Sequence, residues 1–115
     1  QALAQMQIVS RQIVAFFDTI DVLVLPVYLH SPIRVGEWAD LSPEETFAKI
    51  VHWVAPCPVA NATGLPAIAL PMGFDNNGLP ISVQLIGKPA AESTLISLAA
   101  QLEAVNPWIQ HRPAL

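Results

Sequence analysis

The chain has 115 residues, a length that suits one small domain, yet 53% of them are hydrophobic and only 12% are charged. That charged fraction is about half the ~25% usual for a soluble domain. The net charge is −4 with only 5 basic residues, so no positive stripe is available for a phosphate backbone, and the composition argues against nucleic-acid binding. The one cysteine cannot form an internal disulfide, and the 3 histidines show no zinc-ligand spacing. We expect a cytoplasmic chain with no metal and no cofactor.

Two further features favour a piece of a larger protein. The chain begins with Gln1 rather than Met, and its 11 prolines are about double the usual ~5%. The segment 50–72 carries no charged residue, but the prolines inside it are incompatible with a membrane helix. This segment should therefore be buried in protein. We expect residues 1–115 to form a single unit with no membrane partner, and leave homo-oligomer formation open.

The first predicted elements are a helix and a strand. Apolar residues at a spacing of three to four predict a helix that ends before Asp21; they are Leu3, Met6, Val9, Ile13, Phe16, Phe17 and Ile20. Residues 22–25 form a continuous apolar run that Pro26 stops. Such a run predicts a strand buried on both faces, and hence an α/β protein.

An irregular connection and a second helix come next. Residues 27–41 show no period, and loops of that length often serve a functional site. Ser42 is suited to be the N-cap, Pro43 the first helical residue, and Glu45 the residue that returns a hydrogen bond to the cap. This helix should run to about Trp53.

The remaining residues predict a hairpin and a final helix. Strands at 67–70 and 81–86 are joined by residues 75–78, which tolerate positive φ. A helix from Ala91 to Val105 follows, and four of its residues should face inward; these are Leu95, Leu98, Ala99 and Leu102. The predicted order is α, β, α, β, β, α.

Residue patterns alone indicate no reaction centre. The serines lack a GxSxG elbow, and the glycines fit no phosphate-binding loop. Cys57 lies near His52 and could be a thiolate nucleophile, but a small core or pocket-wall residue is the favoured interpretation. Asp18 and Asp21 could pair as carboxylates, although local capping explains them more simply. Packing is also favoured over a ligand pocket for the tryptophans, which are Trp38, Trp53 and Trp108.

Two segments closely resemble the C-terminal region of the amidase signature family. Residues 61–73 read NATGLPAIALPMG and residues 78–87 read GLPISVQLIG. The resemblance covers residues 21–26 weakly, and it continues downstream at Glu92, Leu95, Ala99, Glu103, Pro107, Trp108 and Pro113. Within the first segment we expect Asn61 to satisfy backbone groups at a turn and Gly64 to be left-handed, with Pro66 and Pro71 at the ends of a short buried strand.

The resemblance implies both a fold and an activity. The fold is α/β, the C-terminal part of the amidase signature fold, with a mixed β-sheet flanked by helices. The activity is hydrolysis of a carbon–nitrogen amide bond to a carboxylate and ammonia or an amine. The family's serine, serine, lysine triad belongs upstream of this sequence, and neither Lys49 nor Lys88 stands in a matching motif. No catalytic residue is therefore assigned, and the chain alone should be inactive.

The resemblance also indicates which residues face the substrate. In the glutamine-using tRNA amidotransferase of the same family, an aspartate ten residues before the glycine that matches Gly64 helps to hold the substrate's amino group. Here Val54 occupies that position, and an apolar side chain cannot pair with an ammonium group. With Trp53 and Cys57 nearby, this favours a less polar small-molecule amide. We expect Trp53, Val54 and Cys57 to contact this amide substrate. The alternative to an amidase function for the chain is a stand-alone, non-catalytic scaffold or protein-interaction module.

Overall fold

The computed structural model describes residues 1–112, so Pro113 of the resemblance lies outside the described residues. The elements in chain order are α1 (Ala2–Phe16), β1 (Val22–Pro26), α2 (Pro43–Trp53), α3 (Pro58–Thr63), β2 (Ala67–Phe74), β3 (Pro80–Gly87) and α4 (Glu92–Val105). These elements confirm the α/β class. Within residues 1–112, no helix has the length and apolar character that a membrane crossing requires.

The three strands form one sheet in the order β1-β3-β2. Both neighbouring pairs are antiparallel, which confirms the predicted hairpin. The mixed sheet that the resemblance implies stays a prediction. The strand β2 runs to Phe74, beyond the predicted end at Leu70. Its pairing shifts between Pro71 and Gly73, so Pro71 lies at a bulge within the strand rather than at its end.

The sheet carries a hydrophobic cluster on each face. Leu85 and Ile86 are neighbours in β3, and successive side chains of a strand point to opposite faces. Leu85 packs beneath α4 in a cluster with Leu70, Leu95 and Ala99. Ile86 packs on the α1 side in a cluster with Phe17 and Leu65. The inward positions predicted for α4 are confirmed, since Leu98 and Leu102 also pack against the α4 cluster.

The start of α2 is the predicted capping box. The Glu45 backbone N–H donates to Ser42 Oγ at 3.2 Å, and the Ser42 N–H donates to Glu45 Oε2 at 2.9 Å. The hydrogen bond from the Ser42 backbone holds the pKa of Glu45 below its ordinary value. The helix ends at Trp53, as predicted.

The first helix is shorter than predicted. It ends at Phe16 rather than near Ile20, and the Thr19 hydroxyl donates to Phe16 O at 2.8 Å just after the helix end. The C-terminal part of the apolar stripe packs on the sheet through Ile13, Phe17 and Ile20. The N-terminal part, with Leu3, Met6 and Val9, is exposed.

The predicted burial of β1 on both faces is wrong for the described residues. Val24 is 57% exposed, whereas Leu23 and Leu25, on the opposite face of the same strand, pack against the cluster of Phe17, Leu65 and Ile86. A run of apolar residues shows that the side chains of a strand are suited to burial. It does not show whether another element covers them.

The helix α3 was not predicted, and it changes the role of Asn61. Asn61 is an exposed residue within α3 rather than a turn residue. A helix of this length is too short for an apolar period to be visible. Gly64 ends α3 in the left-handed conformation, with φ 71°, as predicted.

Candidate functional site

The turn that follows α2 brings the three predicted substrate-contacting residues together. Trp53 is the last residue of α2, Val54 is its C-cap, and Cys57 is the residue before α3. The Cys57 N–H donates to Val54 O at 2.9 Å, which closes the turn. All three side chains are partly buried. Their contact with a substrate stays a prediction.

The start of the irregular connection, residues 27–30, is hydrogen-bonded to this turn. The Leu29 N–H donates to Trp53 O at 3.0 Å, and the Trp53 indole N–H donates to the backbone O of His30 at 2.9 Å. The Cys57 thiol lies 3.2 Å from Val27 O, to which it donates. These bonds fix the turn and the connection as one local unit.

The same geometry decides between the two interpretations of Cys57. Its thiol donates to a backbone carbonyl, and among residues 1–112 no hydrogen bond joins it to His52. A nucleophilic thiolate needs a base within hydrogen-bond reach. The structure therefore favours a packed, structural role for the Cys57 side chain over that of a nucleophile.

Trp53 is the centre of an aromatic group that we call the Trp53 cluster. Its ring centroid lies 4.8 Å from that of Tyr28, 5.4 Å from His30 and 5.9 Å from Trp38. The His30 ring is stacked at 9° and the Trp38 ring is edge-on at 81°. Sequence reasoning had not singled out Tyr28 or His30, since they lie in a connection without periodicity. Trp38 and Trp53 pack against each other here, and the choice between packing and a ligand pocket for the three tryptophans stays a prediction.

A cavity of about 490 Å³ lies between the connection and α2. It is lined by His30, Ile33, Glu37, Trp38, Ala48, Lys49 and His52, and its volume is in the range of ligand pockets, roughly 300–1,000 Å³. The Lys49 ammonium lies 5.7 Å from the Trp38 ring centroid, at cation–π distance. None of the three predicted residues lines this cavity. Trp53 instead packs against the rings of His30 and Trp38, which do line the cavity.

Two polar side chains that line this cavity are hydrogen-bonded to the backbone of the connection. The Glu37 carboxylate accepts the Arg34 N–H at 2.9 Å. His30 Nδ1 lies 2.8 Å from Ser31 O; it must carry the proton to donate there, which leaves Nε2 as the acceptor of a neutral ring. Among the described residues, no group of three His, Cys, Asp or Glu side chains could hold a metal ion.

Two carboxylates outside the cavity have structural partners. Asp21 forms an ion pair with Lys88 at 2.9 Å, and the hydrogen bond from Lys88 lowers the pKa of Asp21. Asp75 accepts the Ser31 hydroxyl at 2.7 Å, and this bond, followed by the bond from the Leu79 N–H, lowers the pKa of Asp75. The pairing of Asp21 with Lys88 favours the structural interpretation over a pair of catalytic carboxylates with Asp18.

Comparison with known proteins gives a consistent match. The family model described as Amidase matches residues 1–96. A protein of Synechocystis sp. with a provisional amidase name is 58% identical over 98 residues, which are 85% of this chain and 19% of that protein. AmiB2 of Mycobacterium tuberculosis, also provisionally named an amidase, is 41% identical over 108 residues, 94% of this chain and 23% of that protein.

Solved structures are similar over nearly the whole chain. The 6-aminohexanoate cyclic dimer hydrolase has a TM-score of 0.84 at 28% identity, over 96% of this chain and 24% of that chain. The glutamyl-tRNA(Gln) amidotransferase A subunit from Thermotoga maritima has a TM-score of 0.73 at 27% identity, over 93% of this chain and 22% of that chain. The chain thus spans about a fifth to a quarter of the length of the proteins it matches.

Proposed function

We propose, since this chain belongs to the amidase family, that it is the C-terminal portion of an enzyme that hydrolyses a carbon–nitrogen amide bond to a carboxylate and ammonia or an amine. The observation that carries the proposal is the pair of motifs at residues 61–73 and 78–87, which form the end of α3 and the β2–β3 hairpin. This portion supplies sheet strands and part of the pocket wall. The catalytic triad belongs to a part of the enzyme that this sequence does not include, so we expect no hydrolysis by the 115-residue chain alone.

The turn of Trp53, Val54 and Cys57 is the proposed substrate-facing part of the wall. Its support is the set of hydrogen bonds from residues 27–30, which hold the turn in one conformation. The Trp53 indole N–H is already used by His30 O, so Trp53 offers a ring surface rather than a donor. Val54 offers no charge, and the proposed substrate is therefore an aliphatic or aromatic amide rather than glutamine.

The test uses a chimera in which this chain replaces the matching region of the Synechocystis protein. We expect it to hydrolyse aliphatic or aromatic amides faster than glutamine. Val54→Asp should raise the glutamine-to-aliphatic ratio of kcat/KM by about tenfold, the effect of ~1.4 kcal/mol of carboxylate–ammonium pairing. Val54→Asn, of similar size but uncharged, is the matched control and should leave the ratio within about threefold.

Two outcomes would contradict this proposal. One is a folded chimera that hydrolyses no amide in the panel. The other is a wild-type chimera that releases ammonia from glutamine faster than from aliphatic or aromatic amides, because that preference requires a partner for the ammonium group that Val54 cannot be.

The cellular setting is part of the same proposal. A cytoplasmic location is supported by the free thiol of Cys57, since chains in oxidising compartments usually pair their cysteines. Fractionation of the source cells with an antibody to this chain tests it, and recovery in the secreted fraction would contradict it. The absence of a nucleic-acid partner stays a prediction from composition.

A further inference from the structure

The two walls of the cavity beside α2 differ in their hydrogen-bonding groups. The connection contributes two acceptors, the Glu37 carboxylate and Nε2 of His30, since His30 Nδ1 must carry the proton that it donates to Ser31 O. The α2 wall contributes donors, which are the Lys49 ammonium and the N–H of the His52 ring. Lys49 and His52 are three residues apart, so they lie on the same face of the helix. The cavity therefore has an acceptor wall and a donor wall.

The two charged groups of the cavity are not paired with each other. Within residues 1–112 the one ion pair joins Asp21 to Lys88. Neither the Glu37 carboxylate nor the Lys49 ammonium therefore has an ionic partner in this part of the chain. Glu37 Oε2 accepts the Arg34 N–H at 2.9 Å, and Oε1 accepts no hydrogen bond from the described residues. Two opposite charges that line one cavity without pairing are complementary to a ligand that carries both charges.

Glu45 does not neutralise the Lys49 ammonium. It lies one turn before Lys49 in α2, a spacing at which a carboxylate and an ammonium can pair. Its Oε2 instead accepts the Ser42 N–H at 2.9 Å, and among residues 1–112 no ion pair joins it to Lys49. The Lys49 ammonium lies 5.7 Å from the centroid of the Trp38 ring. The charge is therefore held beside the aromatic part of the cavity lining, where it can bind a carboxylate.

The rest of the cavity lining is apolar. It consists of Ile33, Trp38 and Ala48, and the side chains of Ile33 and Trp38 are partly buried. The Trp38 ring packs edge-on against Trp53 at a centroid distance of 5.9 Å, which restricts its rotation. The volume of about 490 Å³ accommodates one molecule of amino-acid size, since pockets for small ligands begin near ~300 Å³.

The cavity lies on the side of α2 that is opposite to its exposed apolar side chains. The residues of α2 that line the cavity are Ala48, Lys49 and His52. The exposed large apolar residues of the same helix are Phe47, Ile50 and Val51. Since each residue of an α-helix turns the chain by about 100°, the two sets are centred on opposite sides. The apolar side is suited to contact with the rest of an amidase, and such a contact leaves the cavity open.

We propose that this cavity binds a free α-amino acid with an apolar side chain. The ammonium group of the ligand donates to the Glu37 carboxylate and to His30 Nε2. Its carboxylate accepts hydrogen bonds from Lys49 and His52, and its side chain packs on the Trp38 ring. An amino acid is the small-molecule class that combines an ammonium, a carboxylate and an apolar group within this volume.

This amino-acid site is distinct from the proposed substrate wall. None of Trp53, Val54 and Cys57 lines the cavity. The two sites adjoin through Trp53, whose ring packs against the rings of His30 and Trp38. Amino-acid binding here requires no amide hydrolysis, and it goes beyond the proposed function.

Calorimetric titration of the chimera with four ligands of matched structure tests the site. L-phenylalanine has all three recognition groups. By comparison, 2-phenylethylamine lacks the carboxylate, 3-phenylpropanoate lacks the ammonium and L-alanine lacks the ring. We expect a single L-phenylalanine to bind per chain, about tenfold or more tightly than each of the other three, because each of them loses either a charge-assisted hydrogen bond or a packed ring.

Two substitutions distinguish the two ends of the ligand. Lys49→Met should weaken the binding of L-phenylalanine and 3-phenylpropanoate about tenfold, and it should not weaken that of 2-phenylethylamine. Glu37→Gln keeps an oxygen for the Arg34 N–H. It should weaken the binding of L-phenylalanine and 2-phenylethylamine about tenfold, but not that of 3-phenylpropanoate. Lys88→Met removes a lysine outside the cavity; as the matched control, it should change each affinity less than about twofold.

Three results would overturn the proposal. A folded chimera that does not bind L-phenylalanine would show that the cavity is not an amino-acid site. Equal affinities for L-phenylalanine and 3-phenylpropanoate would mean that the connection does not receive an ammonium group. Equal weakening by Lys49→Met and Lys88→Met would place the binding outside the cavity.

These readouts separate the amino-acid site from the enzymatic proposal. L-phenylalanine binding in a chimera that hydrolyses no amide would leave the site standing and contradict the proposed function. Amide hydrolysis by a chimera that does not bind L-phenylalanine would do the reverse.

Discussion

Asp75 shows how one side chain joins two separate segments. Its carboxylate accepts the Ser31 hydroxyl from the connection at 2.7 Å, and it accepts the N–H groups of Asn77 and Leu79 within the hairpin turn at 2.8 and 2.9 Å. All three donors favour the ionised form, and together they hold the pKa of Asp75 below its ordinary value of 3.8. The ionised Asp75 carboxylate therefore stabilises the turn at residues 75–78, in addition to the conformational freedom of Gly78.

The pH dependence of stability follows from that shift. Because the folded-state pKa is lowered, the stabilisation by Asp75 is complete above its unfolded pKa and is lost as the pH falls through its folded pKa. Asp75→Asn should remove this contribution at neutral pH. In the acid range, the free energy of unfolding of this variant should therefore depend less steeply on pH. Denaturant unfolding of both proteins between about pH 2 and 6 measures it. Asp18→Asn, on an exposed side chain, is the control, and an equal effect there would contradict the prediction.

At the scale of the element, α2 begins where its capping box requires and ends in the turn that carries Trp53, Val54 and Cys57. The two hydrogen bonds between Ser42 and Glu45 satisfy N–H groups that a helix start otherwise leaves unpaired. Apart from Trp53 and its cluster, the large apolar side chains of this helix are little covered, since Phe47 is 68% exposed and Ile50 and Val51 are also exposed. The cap therefore has a large share in positioning the candidate substrate wall.

Ser42→Ala should therefore loosen α2 and, with it, the Trp53 cluster. Loss of an N-cap of this kind costs about 1 kcal/mol, and the amides of the first turn of α2 should exchange about fivefold faster. Ser42→Thr keeps the hydroxyl and is the matched control. Unchanged exchange in Ser42→Ala would mean that the connection, rather than the cap, holds the helix start.

At the scale of the whole molecule, the described residues spread over 43 × 43 × 19 Å, a slab with helices on both faces of the sheet. Each face of the sheet has its own small cluster, while large apolar side chains of α1, α2 and β1 remain on the surface. Apolar side chains left on the surface in this number are suited to contact with other protein surfaces. These features are typical of a portion of a larger domain, in which other segments cover the exposed apolar side chains.

The isolated chain should consequently bind the hydrophobic dye anilinonaphthalene sulfonate, and the chimera should bind several-fold less of it per mole. The reason is that the remainder of the enzyme covers the apolar faces of α1 and β1. Dye fluorescence at equal molar concentration measures this. A cooperatively unfolding 12.4 kDa monomer that binds no dye would contradict it, and would favour the stand-alone scaffold.

Much of the fold was predictable because its determinants are local in sequence. The capping box of Ser42, the turn at residues 75–78, the left-handed Gly64 and the inward face of α4 each depend on residues a few positions apart. The misses are of two kinds. The helix α3 is too short for a visible period, and the end of α1 depends on where Phe17 meets the sheet, which is a contact distant in sequence.

The candidate site divides in the same way. The motifs around Gly64 were enough to identify the family and to select Trp53, Val54 and Cys57, because motif order and spacing are properties of the chain itself. Tertiary structure alone decided that His30 and Tyr28 pack on Trp53 and that the Cys57 thiol donates to Val27. These features arise where segments 20 or more residues apart meet, and their geometry depends on how the whole sheet and its connections pack.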